Sequence, residues 1–125
     1  MQDNLYQGIH HISLLVQKLE SSLAFYCNVL GLEMDESRPD MAFNGAWLNI
    51  GCGQQIHLLV LPNPDAGVHR PEHGGRDRHG AFRVTDIEVL KQRLDRAGIA
   101  YTCSRSGRAA LFCRDPDDNA LEFMG

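Results

Sequence analysis

The chain has 125 residues, with 12 Lys and Arg against 16 Asp and Glu, for a formal charge of −4. That balance argues against nucleic acid as a partner, although arginines cluster between residues 70 and 83. No apolar run approaches the roughly 20 residues that span a bilayer, and residues 1–4 lack the basic and apolar regions of a secretory leader, so a cytoplasmic protein with no membrane partner is expected.

The 43% hydrophobic and 22% charged fractions are those of an ordinary globular protein, and the length suits a single domain over 1–125. Cys27, Cys52, Cys103 and Cys113 are too widely spaced for a CxxC site. Each lies in or beside an apolar run, so all four are expected as buried free thiols of a reducing compartment.

From residue 9 to 17 apolar and polar positions alternate, with Ile12, Leu14 and Val16 on one face, which predicts a half-buried strand. Leu19, Leu23, Tyr26 and Leu30 then recur at helical spacing, and Gly31 stops the helix. Short strands are predicted at 32–36, 46–50 and 55–61, separated by turn-rich stretches. A polar connection rich in Pro, Gly, His and Arg runs over 62–78.

The same order then returns. A strand is predicted at 79–85, Asp86 reads as a helix N-cap, and Ile87, Leu90, Leu94 and Ala97 form an apolar stripe that Gly98 ends. Strands at 99–104, 109–114 and 120–124 complete the second half, with a strong turn signal in Asp115-Pro116-Asp117-Asp118-Asn119. The chain thus reads as α+β, two βαβββ modules (about 8–61 and 79–124) joined by 62–78.

The repeat also duplicates chemistry. If Ile12, Leu14 and Val16 pack beneath the helix, His11 faces the other way and His10 points with the core. By the same parity His79 and Arg83 lie opposite Gly80, Phe82 and Val84. In the last strand of each half a polar residue sits between apolar ones, as Ile56-His57-Leu58 and Leu121-Glu122-Phe123. His11, His57, His79 and Glu122 are therefore candidate ligands of one divalent metal, and their imidazoles suit Zn, Fe, Co, Ni or Mn better than Ca. Trp47, Asn49 and Arg83 are candidate substrate-binding residues, Glu122 and His57 candidate catalytic groups. His10, His69 and His73 read as structural or loop residues, and Arg70, Arg76 and Arg78 as a solvated loop or an anion-binding rim.

Four stretches carry a family likeness: residues 9–16 (Ile9-His10-His11-Ile12-Ser13-Leu14-Leu15-Val16), residues 22–32 from Ser22-Leu23-Ala24-Phe25-Tyr26 to Leu30-Gly31-Leu32, residues 79–84, and residues 115–122. Together they resemble the vicinal oxygen chelate superfamily, which includes glyoxalase I, methylmalonyl-CoA epimerase, fosfomycin and bleomycin resistance proteins and extradiol ring-cleaving dioxygenases. The resemblance implies curved mixed sheets around a metal site, often paired across a homodimer, with His11, His57, His79 and Glu122 as ligands and a small oxygen-bearing molecule as substrate. Glyoxalase I usually has a carboxylate where this chain has His57, and the family's turn glycine is Asp118 here, a residue type that tolerates positive φ. Three activities are compatible with that pattern: glyoxalase-like proton transfer, Fe(II) ring cleavage, or sequestration of a drug or metabolite without catalysis.

Overall fold

The computed structural model describes residues 4–125. Residues 1–3, part of the stretch read above for a leader, lie outside the described residues. The chain folds as two four-stranded sheets, ordered β1-β4-β3-β2 and β5-β8-β7-β6. The first comprises β1 (His11–Val16), β2 (Glu33–Met34), β3 (Gly45–Gly51) and β4 (Gln54–Val60); the second comprises β5 (His79–Arg83), β6 (Tyr101–Cys103), β7 (Ala110–Arg114) and β8 (Ala120–Met124). In each, the first strand pairs in parallel with the last and the remaining neighbours are antiparallel. The predicted βαβββ order is present in both halves.

The helices differ more than the repeat suggested. α2 (Ile87–Arg96) starts as the sequence predicts, its Asp86 side chain accepting from the N–H groups of Glu88 and Val89. α1 (Leu19–Leu23) runs directly into a π-helical stretch, Ala24–Val29, where a regular helix was expected. Ser22, Phe25 and Tyr26 are buried at the i, i+3, i+4 spacing of an ordinary helix face, so the stretch presents to the core the face that the expected helix would present. Leu30 N–H donates five residues back to Phe25.

One apolar core joins the halves. Val16, Leu48, Ile56 and Leu58 from the first sheet pack in a single cluster with Leu94, Leu111, Leu121 and Phe123 from the second half. Each of the leucines in this set is worth about 2 kcal/mol of burial. Gly80 leaves room for Ile12 of the first sheet, since a Cβ there would stand 2.9 Å from Ile12 Cδ1. Buried Tyr26 donates its hydroxyl to Asp115 at 2.7 Å, and Asn119 Nδ2 donates to Leu15 O at 3.1 Å, so the β7–β8 turn is tied to the first half. Burial raises the Asp115 carboxyl despite these donors.

Two expectations are corrected. Only Cys113 is buried, its thiol pushed up to about 12 by burial; Cys27 is partly buried, while Cys52 and Cys103 are exposed. Cys52 occupies a hairpin tip at φ 52°, and Cys103 lies on the edge strand β6. His10 does not join the core: β1 begins only at His11, so strand parity does not extend to it, and it is exposed. Asp118 adopts φ 65°, the conformation expected of the turn glycine it replaces. No helix among the described residues is long and apolar enough to cross a membrane.

Candidate metal centre

Each sheet turns one face to the core and presents its histidine on the other. In the first sheet, Trp47 pairs with His57 across β3 and β4, and His57 with Ser13 across β4 and β1. The rings stack in series, His57 lying 3.8 Å from His11 at 13° and 4.7 Å from Trp47 at 12°. The His57 imidazole is thereby clamped between two planes.

Its Nε2 lies 2.9 Å from Gln55 Oε1, and the Gln55 amide nitrogen donates to Asp35 and Asn49. The amide orientation makes His57 Nε2 the donor and leaves the lone pair on Nδ1. Burial, then the nearby imidazoles of His11 and His10, lower the His57 pKa to about 4, so the ring stays neutral at pH 7. His10 Nδ1 and His11 Nδ1 share a contact of 2.8 Å.

The second sheet carries charge where the first carries stacked rings. Its Glu122 is 5% exposed, with Oε1 3.1 Å from His79 Nε2 and Oε2 3.1 Å from Arg108 Nη2. His79 Nδ1 lies 2.8 Å from the Asp77 carbonyl, which can only accept. A neutral imidazole that donates from Nδ1 would face Glu122 with a bare lone pair. The arrangement requires a positive charge between Nε2 and the carboxylate, supplied by a proton or a metal ion, and this is the test by which the pair fits a cation. Phe112 packs edge-on to His79 at 5.5 Å.

His11 thus meets His57, and His79 meets Glu122, but the two pairs do not meet within one chain. Among the described residues no group of three or more His, Cys, Asp or Glu side chains converges on a common point. The core explains why: Ile50 and Ile56 of the first sheet and Phe82 and Phe123 of the second line one apolar pocket, so the core faces look toward each other. The histidine faces are directed away from that shared interior.

Other sequence candidates fall in varied places. Trp47 is the stacking wall of His57, whereas Asn49 accepts from Gln55. Arg83 is exposed on β5, two residues along the same face from Ala81 and four from His79. Arg70 grips Asp77 through two hydrogen bonds and Arg78 pairs with Asp65, so neither is a free rim group. Arg70 and Arg114 hold the Asp77 carboxyl down at about 2. His73 caps the short 3-10 turn Gly74–Arg76 and lies edge-on to Phe112. Sequence reasoning missed Gln55, Asp35 and Arg108. Parity alone places Gln55 on the His57 face two residues away, but Arg108 lies in an irregular loop with no periodic signal.

Known proteins share this fold. A family model described as Glyoxalase/Bleomycin resistance protein/Dioxygenase superfamily matches residues 8–123. Glyoxylase I 4 of Arabidopsis thaliana is 30% identical over 93% of this chain and 69% of its own length. A glyoxylase/bleomycin resistance protein/dioxygenase domain from Frankia sp. EAN1pec superposes with a TM-score of 0.73 at 28% identity, covering 95% of this chain and 91% of that one. FosX from Listeria monocytogenes, an E126Q mutant crystallised with Mn(II) and 1S,2S-dihydroxypropylphosphonic acid, shares the fold at a TM-score of 0.74 and 19% identity, over 97% of this chain and 93% of that one. A duplicated sheet with a histidine on the first strand of each copy, matched over almost the whole chain, makes this protein a member of the glyoxalase/bleomycin resistance protein/dioxygenase superfamily.

Proposed function

We propose that the chain is a divalent-metal-dependent vicinal oxygen chelate enzyme that moves a proton on a small oxygen-bearing substrate, as glyoxalases do. The observation that carries this reading is the pair of complementary half-sites, His11 with His57 and His79 with Glu122, on equivalent faces of duplicated sheets. Joining the pairs within one chain means unpacking the shared core, so the complete site is formed by two copies, the first half of one opposite the second half of the other. The exposed Leu5, Tyr6 and Ile9, next to an unpaired edge of β1, give such a homodimer apolar surface to bury.

His11, His57, His79 and Glu122 would hold the metal, which supplies Lewis-acid polarisation of a substrate oxygen and so acidifies the adjacent C–H. The chain's own groups do the rest. The Asp77 carbonyl fixes the His79 ring with Nε2 forward, and the Trp47 and His11 rings fix His57. Glu122 takes the proton on a carboxylate oxygen and returns it, while Phe112 and Trp47 shield the site from water.

The experiment is metal content of protein purified without chelator, with the rate of C–H deuterium exchange on small 2-oxo thiohemiacetals. Substoichiometric metal, or Glu122→Gln with undiminished exchange, would sink the reading; the expected loss is about 10²-fold or more. The contact between His57 Nε2 and Gln55 favours a second reading, because it restricts His57 to its Nδ1 lone pair, and a site that does without His57 would be His11, His79 and Glu122, a two-histidine, one-carboxylate triad of the Fe(II) dioxygenase type. Fe(II)-dependent oxygen uptake with catechols would favour that reading. Tight binding of an aromatic drug by metal-free protein would instead favour sequestration.

A further inference from the structure

We propose that Arg108 is a specificity-determining residue that binds an anionic group of the substrate, and that Glu122 holds it in reserve until a cation takes the carboxylate. This rests on the metal-site reading above. The loop between β6 and β7 delivers the Arg108 guanidinium onto Glu122, where Nη2 lies 3.1 Å from Oε2. The side chain is aimed rather than merely near: its Nε donates to Ser106 Oγ at 3.0 Å, and Ser106 is braced by Ser104 Oγ at 2.8 Å.

The partners differ sharply in exposure, the Glu122 side chain at 6% and Arg108 at 56%. Arg108 thus reaches a buried carboxylate from the open side of the sheet, the side from which a substrate must arrive. Two nearby arginines are committed to Asp77 rather than Glu122: Arg114 holds Asp77 and two backbone carbonyls, and Arg70 holds Asp77 through Nε and Nη2. Arg108 Nη1 has no acceptor among the described residues, so the guanidinium presents an unused donor even while it holds Glu122.

Chemistry then sets an exchange. A carboxylate that ligates a cation surrenders charge density, and its hold on a neighbouring guanidinium weakens. The released fork would remain beside the Glu122 carboxylate and suits a carboxylate or phosphoryl group, which it would grip bidentately. The substrate class that follows is a small oxygen chelator carrying its own negative charge.

The test uses full-length protein and calorimetric titration with inorganic phosphate, in arms that need no turnover. Metal-free Glu122→Gln frees Arg108 without any metal, and its affinity for phosphate should rise at least about tenfold above wild type. Glu122→Gln/Arg108→Ala should lose that gain, while Glu122→Gln/Arg105→Ala, a charge-matched change in the same loop, should keep it. Loading wild type with Mn(II) should produce the same gain, and Arg108→Ala loaded with Mn(II) should show at least about tenfold weaker phosphate binding than loaded wild type.

Equal phosphate affinity of wild type and Glu122→Gln, or a gain that survives removal of Arg108, overturns the proposal. Wild type that binds no Mn(II) defeats the metal-site reading instead, and the Glu122→Gln arms still decide the role of Arg108.

Discussion

The two halves of the molecule share a topology and differ in what holds their histidines. In the first, His57 is clamped by flat faces, Trp47 on one side and His11 on the other, and its direct hydrogen-bond partner is the Gln55 amide. In the second, His79 is held by a backbone carbonyl and a buried carboxylate that also carries an arginine. Duplication has kept the positions of the donors while assigning them different work. One half offers imidazole nitrogens and an aromatic wall; the other offers an imidazole beside a buried carboxylate and an arginine.

That contrast breaks first at the proposed ligands. Replacing His79 with Ala, or Glu122 with Gln, should weaken Mn(II) binding about a hundredfold or more, because each removes a donor whose geometry is already set. His57→Ala should cost only about tenfold, since its Nε2 is committed to Gln55. Calorimetric metal titration checks both, and equal losses at His57 and His79 would erase the asymmetry.

A second test concerns the tie between the halves. Asp115→Ala removes the acceptor of the Tyr26 hydroxyl, the Asn119 amide and the Asp117 N–H, and should cost about 3 kcal/mol in urea unfolding. Tyr26→Phe should cost about 1 kcal/mol. If neither matters, the β7–β8 turn does not join the two sheets.

The smallest effect is electrostatic. Arg70 and Arg114 hold Asp77 near 2, below its usual value, so its contribution to stability is complete above about pH 4. It should be lost as pH falls from about 4 through 2, by about 1 kcal/mol once solvent screening is allowed for. Arg70→Met should flatten that part of the pH–stability curve.

Much of this was legible from residue order because sheets obey a period of two. Ile12, Leu14 and Val16 inward leaves His11 outward, and the same count placed His79 and Arg83 on one face. Capping chemistry announced α2 through Asp86, and Asp118 announced its own turn. What remained hidden depends on three-dimensional packing. The π-helical stretch Ala24–Val29 buries the same face that a regular helix would, so the apolar spacing of 19–30 does not announce it. Arg108 meets Glu122 only because a loop folds back over β8. That the two histidine faces look away from each other is decided by the face the core occupies, and the repeat is silent on that.

The parallel pairing of β1 with β4, and of β5 with β8, has a consequence for how the site comes into being. His11 aligns with Gln55 and His79 with Ala120, partners about forty residues apart in the chain. Such contacts are closed late, after the loop entropy of a whole module has been spent. The donors of each half therefore come together only when its last strand docks. On the proposed two-copy site, His11 meeting His57 and His79 meeting Glu122 would report that each module has folded, and a complete donor set would report that two copies have assembled.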